Sequence, residues 1–442
     1  MSTDHGPDAA HAPTAPPAGV PPFAADLAGA DRCVLCGMCL PHCPTYAIQR
    51  MEGDSPRGRI TLMQGLAQGH LEPGNERLRE HLQGCLGCRS CEAVCPAGVR
   101  FGALMDNTRR VLREHPGGPW RTLPERLFGP WRRLALRRRR WRRMAALAAR
   151  AARALGLRHL FPASSRLGRV LRHTAPSLVK MPPLAPTAAF SRADVWLFTG
   201  CMDAFFTGPD SVATLELLHA LGIRAAVPPG QVCCGAMDQH LGRSNDAATL
   251  QRKNEHAFGG TRPVLVLDSG CEAQLREYPG DGWRERVTSL TGFLASLPVE
   301  DFRWRSDPLR VALHLPCTLR NVTREGEGIR RLFERLPGID VAALIPPQNC
   351  CGAAGTAMLT QPAMADPLGQ ATLSALEAAA PDIIVSPNVG CSVHLRALQA
   401  HGDMGVRIVS PARFLRERLL GRDALVLPDR PRSRPQGAPT GL

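Results

Sequence analysis

Sixteen cysteines in 442 residues carry the most pointed chemistry in this chain. Eight fall in two runs of one form, Cys33-Val-Leu-Cys36-Gly-Met-Cys39-Leu-Pro-His-Cys43-Pro44 and Cys85-Leu-Gly-Cys88-Arg-Ser-Cys91-Glu-Ala-Val-Cys95-Pro96. The two-residue gaps let three thiolates wrap one face of a cubane from a tight loop. The fourth cysteine, after three residues and before a proline, is turned toward the other cluster. That logic assigns Cys33, Cys36, Cys39 and Cys95 to one [4Fe–4S] cluster and Cys85, Cys88, Cys91 and Cys43 to a second. Structural zinc also takes paired Cys-x2-Cys, but it needs four ligands per site and has no clear use for the tightly spaced third cysteine. His42 lies beside a set that four cysteines already complete, and reads as a neighbour rather than a ligand.

The other eight cysteines form an internal repeat. Each copy opens on an apolar strand that runs into a cysteine, Asp194-Val-Trp-Leu-Phe-Thr-Gly-Cys201 and Arg310-Val-Ala-Leu-His-Leu-Pro-Cys317. A helix, Pro228-Pro229 and Cys233-Cys234-Gly235 follow in the first copy; a helix, Pro346-Pro347 and Cys350-Cys351-Gly352 follow in the second. Each copy closes on a second strand that leads to Gly270-Cys271 or Gly390-Cys391. Strands followed by helices imply parallel α/β units, which gather ligands at the carboxyl ends of their strands. The spacing therefore predicts two pockets of four thiolates: Cys201, Cys233, Cys234 and Cys271, and then Cys317, Cys350, Cys351 and Cys391.

Holding these residues takes more than one compact domain, and 47.7 kDa suggests two or three. Residues 1–28 are Ala- and Pro-rich and read as a disordered leader. Residues 29–118 hold the two cysteine runs, 119–186 an Arg-rich helical linker, 187–298 and 299–420 the two α/β copies, and 421–442 a Pro/Arg/Gly-rich unstructured tail. The net charge of +15 is concentrated. Residues 119–186 carry sixteen Arg and Lys180 against Glu125 alone, so everything else sums to about −1. That segment has no zinc-finger spacing and no RNA-binding aromatic signature, which argues against nucleic acid. The first thirty residues lack a signal peptide's basic start and apolar stretch, and no run reaches the ~18 apolar residues of a membrane span. The expectation is a cytoplasmic metalloprotein rather than a secreted disulfide scaffold or an integral membrane protein.

From about residue 30 to 418 the chain resembles the iron–sulfur subunit of glycolate oxidase (glycolate dehydrogenase). The resemblance rests on Cys39-Leu-Pro-His-Cys43-Pro44-Thr45-Tyr46, Asp54-Ser-Pro-Arg57-Gly58-Arg59-Ile60, Cys95-Pro-Ala-Gly-Val-Arg100 and Leu123-Pro-Glu-Arg-Leu127. Downstream it rests on Cys233-Cys-Gly-Ala-Met-Asp-Gln-His240, Cys317-Thr-Leu-Arg320, Cys350-Cys-Gly-Ala-Ala-Gly355-Thr356 and Gly390-Cys391-Ser-Val-His394. It implies a helical di-cluster ferredoxin-like domain followed by two α/β CCG domains of the heterodisulfide-reductase-B type. It also implies two flavin-type partner subunits that oxidise glycolate to glyoxylate, with electrons passed toward a quinone at the cytoplasmic face of the inner membrane. The residues agree in one respect: the chain has no G-x-G-x-x-G, P-loop or nucleophile elbow to hold a flavin or nucleotide or to carry out substrate chemistry.

The fuller CCG pattern ends each copy in Cys-x2-Cys, but here those positions are Gln274 and His394. His394 is either a ring-nitrogen ligand or a packed histidine, and Gln274 is a poor soft-metal ligand. Each thiol set holds a further iron–sulfur or metal centre, or is a reduced, buried set that shapes an interface. Asp238 and His240 either assist proton uptake or order a loop. Arg57 and Arg59 either tune a cluster and dock a partner or belong to a solvated loop. The Arg-rich helix with Trp120, Trp131 and Trp141 fits anionic lipid, an acidic partner face or plain solvation. Rival readings keep the architecture with a lactate or anaerobic glycerol-3-phosphate dehydrogenase as donor, or make the CCG cysteines a disulfide-reducing catalyst.

Overall fold

The computed structural model describes residues 23–115, 139–156, 160–161, 166–173, 192–280, 282–342, 350–399 and 405–419. The N-terminal region is built from α1 (Pro44–Gln49), α2 (Pro56–Ala67), α3 (Glu76–Gln83) and α4 (Phe101–Glu114). Local chemistry sets their starts. Ser55 accepts from Gly58 N at 2.9 Å and Pro56 occupies the first turn of α2, while Asn75 accepts from Leu78 N at 3.0 Å. In α4, Phe101, Leu104, Met105, Thr108, Val111 and Leu112 recur at helical spacing and turn one face inward. That face joins Ile60, Met63, Leu66, Leu78 and Leu82 in a small core. Leu27 is buried in the same core, and Ala24–Leu27 is helical. Residues 23–28 of the leader expected to be disordered are therefore ordered, because an apolar side chain there had a core to enter, and residues 1–22 lie outside the described residues.

The repeated half folds as two four-stranded, wholly parallel sheets. The first contains β1 (Val195–Phe198), β2 (Ala225–Ala226), β3 (Val264–Val266) and β4 (Val287–Ser289), in the order β2-β1-β3-β4. The second contains β5 (Leu309–Leu313), β6 (Ile339–Ala342), β7 (Ile383–Val385) and β8 (Arg407–Val409), in the order β6-β5-β7-β8. The central strands are buried on both faces, which is why they read as unbroken apolar runs rather than as alternation. Sequence patterning exposed the central strands β1, β3, β5 and β7. The flanking β2 (Ala225-Ala226), β4 (Val287-Thr-Ser), β6 (Ile339-Asp-Val-Ala) and β8 (Arg407-Ile-Val) carry small or polar residues and show no unbroken run of large apolar side chains.

Helices α5 (Arg139–Ala154) and α6 (Arg166–His173) come from the Arg-rich segment; its patterning around Trp131 and Leu134 lies outside the described residues. Then follow α7 (Gly208–Ala220), α8 (Ser244–Ala257), α9 (Ser269–Arg276), α10 (Gly326–Glu334), α11 (Pro362–Glu377), α12 (Val389–Gln399) and α13 (Pro411–Leu419). The two copies do not keep separate interiors. Leu197, Leu217 and Leu290 of the first pack in one cluster with Val311, Phe333 and Phe414 of the second. Arg416 on α13 reaches back to Glu216 on α7 at 2.7 Å.

Candidate functional site

In both sheets the strand order reverses between the two central strands, and parallel sheets open a crevice at such a switch point. Cys201 follows β1 and Cys271 lies in the first turn of α9, the helix after β3; Cys317 follows β5 and Cys391 lies in the first turn of α12, the helix after β7. The Cys-Cys-Gly loops close each crevice from the side. In copy one, Cys234 Sγ lies 3.4 Å from Cys271 Sγ, and Cys233 hydrogen-bonds with Cys201 and Cys234. In copy two, Cys351 Sγ lies 2.6 Å from Cys391 Sγ, and Cys350 bonds with Cys317 and Cys351. The glycine of each motif donates its amide to the first cysteine's sulfur at 3.5 Å. Gly352 does so at φ +74°, and a Cβ there would stand 2.2 Å from Ala365 O. No other residue type fits that turn.

Buried hydrogen bonds brace these loops. Tyr278 Oη donates to Cys234 O at 2.7 Å, and Asn254 Nδ2 donates to Cys233 O at 3.0 Å. In copy two Thr372 Oγ1 donates to Cys350 O at 3.0 Å. Nothing in cysteine spacing pointed to these three; the one available signal was Tyr278, one of only two tyrosines. Copy one also receives a cation. Arg142 on α5 is buried, pairs with buried Asp203 at 3.4 Å, and favours the thiolate forms of Cys201 and Cys233. The Cys201 and Cys234 hydrogen bonds hold the Cys233 thiol well below its usual range, while the bond to Cys233 together with burial pushes Cys201 up.

His394 packs away from the crevice. Its Nε2 faces Ala365 O at 3.1 Å and its Nδ1 faces His173 Nε2 of α6 at 3.3 Å, so both ring nitrogens are engaged. Gln274 lines an open cleft of about 790 Å³ with Arg89, Asp106, Arg109 and His240. His240 Nδ1 meets Asp106 of α4 at 3.0 Å, and Asp238 accepts from Arg243 Nε at 2.6 Å. The first ties two regions together and the second orders its own loop.

In the N-terminal region Cys33, Cys36, Cys39 and Cys95 line one small cavity together with Arg57 and with Cys91, a residue expected in the second set. Cys43 lies close enough to Cys88 and Cys91 for their charges to couple. Burial pushes the Cys39, Cys88 and Cys91 thiols up. Cationic iron reverses that preference, since a coordinating thiol is deprotonated outright. All sixteen cysteines are free thiols. Soft thiolate sets of this kind fit iron–sulfur clusters. Arg59 is a buried support: Nε donates to His81 O at 2.7 Å and Nη1 to Thr45 Oγ1 at 2.9 Å, and Thr45 Oγ1 stands 3.2 Å from Cys43 Sγ. Arg57 donates through Nη1 to Leu35 O at 3.4 Å and through Nε to Glu52 at 2.7 Å.

The N-terminal thiols and the copy-two thiols meet at Cys88. Its charge couples to Cys317 and Cys350, and Asn321 Nδ2 donates to Cys88 O at 2.8 Å.

Comparison with known proteins agrees with this layout. Residues 29–99 match the 4Fe-4S dicluster domain, and residues 195–276 and 311–396 each match the cysteine-rich domain. The glycolate oxidase iron-sulfur subunit of Escherichia coli is 32% identical over 390 residues, 82% of this chain and 89% of that protein. The chain belongs to the family of glycolate oxidase iron–sulfur subunits. A probable member from Bacillus subtilis is 32% identical over 415 residues, 87% of this chain and 93% of its own length. Lactate utilization protein A of Geobacillus thermodenitrificans is 29% identical over 238 residues, 51% of this chain and 99% of that protein. The family thus combines a di-cluster N-terminal region with two cysteine-rich repeats, as in this fold.

Proposed function

We propose that the chain is the electron-transfer subunit of a glycolate dehydrogenase, with oxidation of glycolate to glyoxylate on two flavin-type partner subunits. One observation carries the reading: Asn321 donates to Cys88 O at 2.8 Å and the charge of Cys88 couples to Cys317 and Cys350, so the N-terminal thiols adjoin the copy-two thiols. When bound, [4Fe–4S] clusters supply one-electron transfer, which suits a partner flavin that gives up electrons in pairs. Cys33, Cys36, Cys39 and Cys95 hold one, and Cys43, Cys85, Cys88 and Cys91 the other. Arg59 fixes Cys43 through Thr45. The Cys201 set and the Cys317 set offer a further iron–sulfur centre in one copy or both. His394 serves there as a packed histidine, since both its nitrogens already have partners.

Helix α5 supports peripheral attachment to the cytoplasmic face of the inner membrane, next to a quinone-type acceptor. It turns Arg142 inward and leaves Trp141, Met144 and Leu147 exposed on the other side. An apolar stripe with tryptophan beside an Arg-rich segment is the pattern of an interfacial helix. No described helix is long and apolar enough to cross a membrane.

The test is anaerobic purification with iron, sulfide and zinc counted per chain and EPR of the reduced form. About eight irons with a two-cluster spectrum support the N-terminal assignment, and appreciably more iron adds a centre in the repeats. Zinc without iron overturns the relay. A lactate-oxidising complex is the second reading, favoured by the likeness to lactate utilization proteins. Comparing glycolate with lactate as reductants of the assembled complex separates the two.

A further inference from the structure

We propose that His173, the last residue of α6, is an imidazolium that donates to neutral His394 of α12, a charged latch that holds α6 on copy two and lets go as pH rises. The two rings are buried, at 8% and 0% exposure. His173 Nε2 and His394 Nδ1 stand 3.3 Å apart, and the ring centres stand 5.6 Å apart. With that contact between nitrogens, two imidazoles can stand no farther apart, so the two nitrogens point straight at each other. Gly369 on α11 gives the pair its room: a Cβ there would come within 2.9 Å of His394 Nε2.

Counting protons decides the charge. His173 Nδ1 faces Arg169 O at 2.8 Å, and His394 Nε2 faces Ala365 O at 3.1 Å. A carbonyl only accepts, so each of these nitrogens carries an N–H, and the contact between nitrogens needs a proton of its own. Three contacts therefore call for three protons, whereas two neutral imidazoles bring two. A neutral pair either sets two lone pairs head-on or turns one tautomer and sets a bare nitrogen against a carbonyl. Either mismatch is costly where water does not reach. One added proton satisfies all three contacts.

The surroundings say which ring carries it. Burial pushes His394 down, so His394 is the neutral acceptor. His173 ends a helix, where exposed carbonyls favour a cation. Asp366 on α11 supplies the counter-charge: burial works against its ionised form, yet Arg169 and then the two histidines hold its carboxyl below the usual range. Arg169 opposes the added proton, as do the arginines of α5, which packs on α6 and carries no acid. The short helix Ala357–Thr360, also against α6, has no charged residue, and Arg396 on α12 is taken up by Ile408 O at 2.8 Å. Docking thus takes up a proton. The latch is complete below the ordinary histidine value of about 6.5 and is lost as pH climbs through the raised value of the docked state.

The test is hydrogen–deuterium exchange on the full iron-loaded chain between about pH 6 and pH 8.5, corrected for the intrinsic pH dependence of exchange, with wild type compared to His173→Gln. Glutamine keeps an N–H for His394 Nδ1 but does not titrate. In wild type, protection of α6 falls with rising pH, by up to about tenfold per pH unit, while α7 in copy one shows no such fall. In His173→Gln the α6 profile is flat. Parallel α6 profiles in the two proteins overturn the proposal, and so does α6 protection that rises with pH. A metal other than iron that wild type binds stoichiometrically and the variant loses also overturns it, assigning the pair to that metal. Should the variant fail to fold, nitrogen-15 histidine NMR of wild type at about pH 7 decides: an imidazolium signal from His173 supports the latch, and two neutral rings overturn it.

Discussion

The two α/β copies share a strand order but not an environment. Three residues before the opening cysteine, copy one has Phe198 and copy two has His314; directly after the closing cysteine, copy one has Glu272 and copy two has Ser392. Copy one presents its thiols to a buried arginine from α5, and copy two presents its thiols to Cys88. Duplication thus preserved the crevice, while packing against the rest of the chain gave each crevice a different neighbour. Equal cysteine counts do not mean equal roles when only one set adjoins the N-terminal region.

The largest effect tests that asymmetry directly. Cys350→Ser should slow electron delivery from the N-terminal region to the acceptor by about 100-fold or more, equivalent to about 3 kcal/mol or more in the barrier. Cys233→Ser in copy one should cost much less. Stopped-flow reoxidation by a quinone analogue measures both, and equal losses would erase the distinction.

A second effect concerns stability. Arg142→Met strips the cation from Asp203, which is 4% exposed, and should destabilise the protein by about 3–5 kcal/mol. Arg169→Met in α6 is the control in copy two: its partner Asp366 is one-third exposed, and the cost should be about 1 kcal/mol. Guanidinium denaturation with matched m-values gives the comparison.

A third prediction uses pH. Burial, with Arg320 nearby, lowers His314 to about 3, and its Nδ1 lies 2.8 Å from Ser386 Oγ. The folded state therefore holds it neutral, while the unfolded chain takes up a proton below about 6.5. Its contribution is complete above that pH and is lost as pH falls from 6.5 toward 3, at up to about 1.4 kcal/mol per pH unit. Replacing it by the copy-one residue, His314→Phe, should flatten that part of the stability profile. An unchanged acid limb would place the titration elsewhere.

The smallest effect is Tyr278→Phe. It removes the hydroxyl that holds Cys234 O and Asn254, for about 1–2 kcal/mol of stability. The EPR spectrum of the reduced N-terminal region should be unaffected.

Much of this layout was legible in advance, for physical reasons that differ by element. Cysteine spacing is local, so the two runs, the repeat and the central strands could be read directly. Arg142 could not: within a basic run it looks like a surface charge, and only the inward turn of α5 against Asp203 buries it. Arg59 looked like a loop residue for the same reason, although its guanidinium fills a polar pocket beneath Cys43 and Thr45. The meeting of Cys88 with Cys317 has no local signature, because it is made by two regions far apart in the chain. His394 fell at a ligand's spacing, and α6 supplied the partner that accounts for it.

The merged interior of the repeats has a consequence for how such a chain can change over time. With Leu197 and Phe414 in one cluster, and α13 returning from the far end to lie on α7, neither copy is a separable module. A truncation near residue 298 would bare apolar surface on both fragments, so each should be insoluble when expressed alone, and the intact pair should melt in one transition. Once joined, the copies could drift apart in sequence but could no longer be inherited apart.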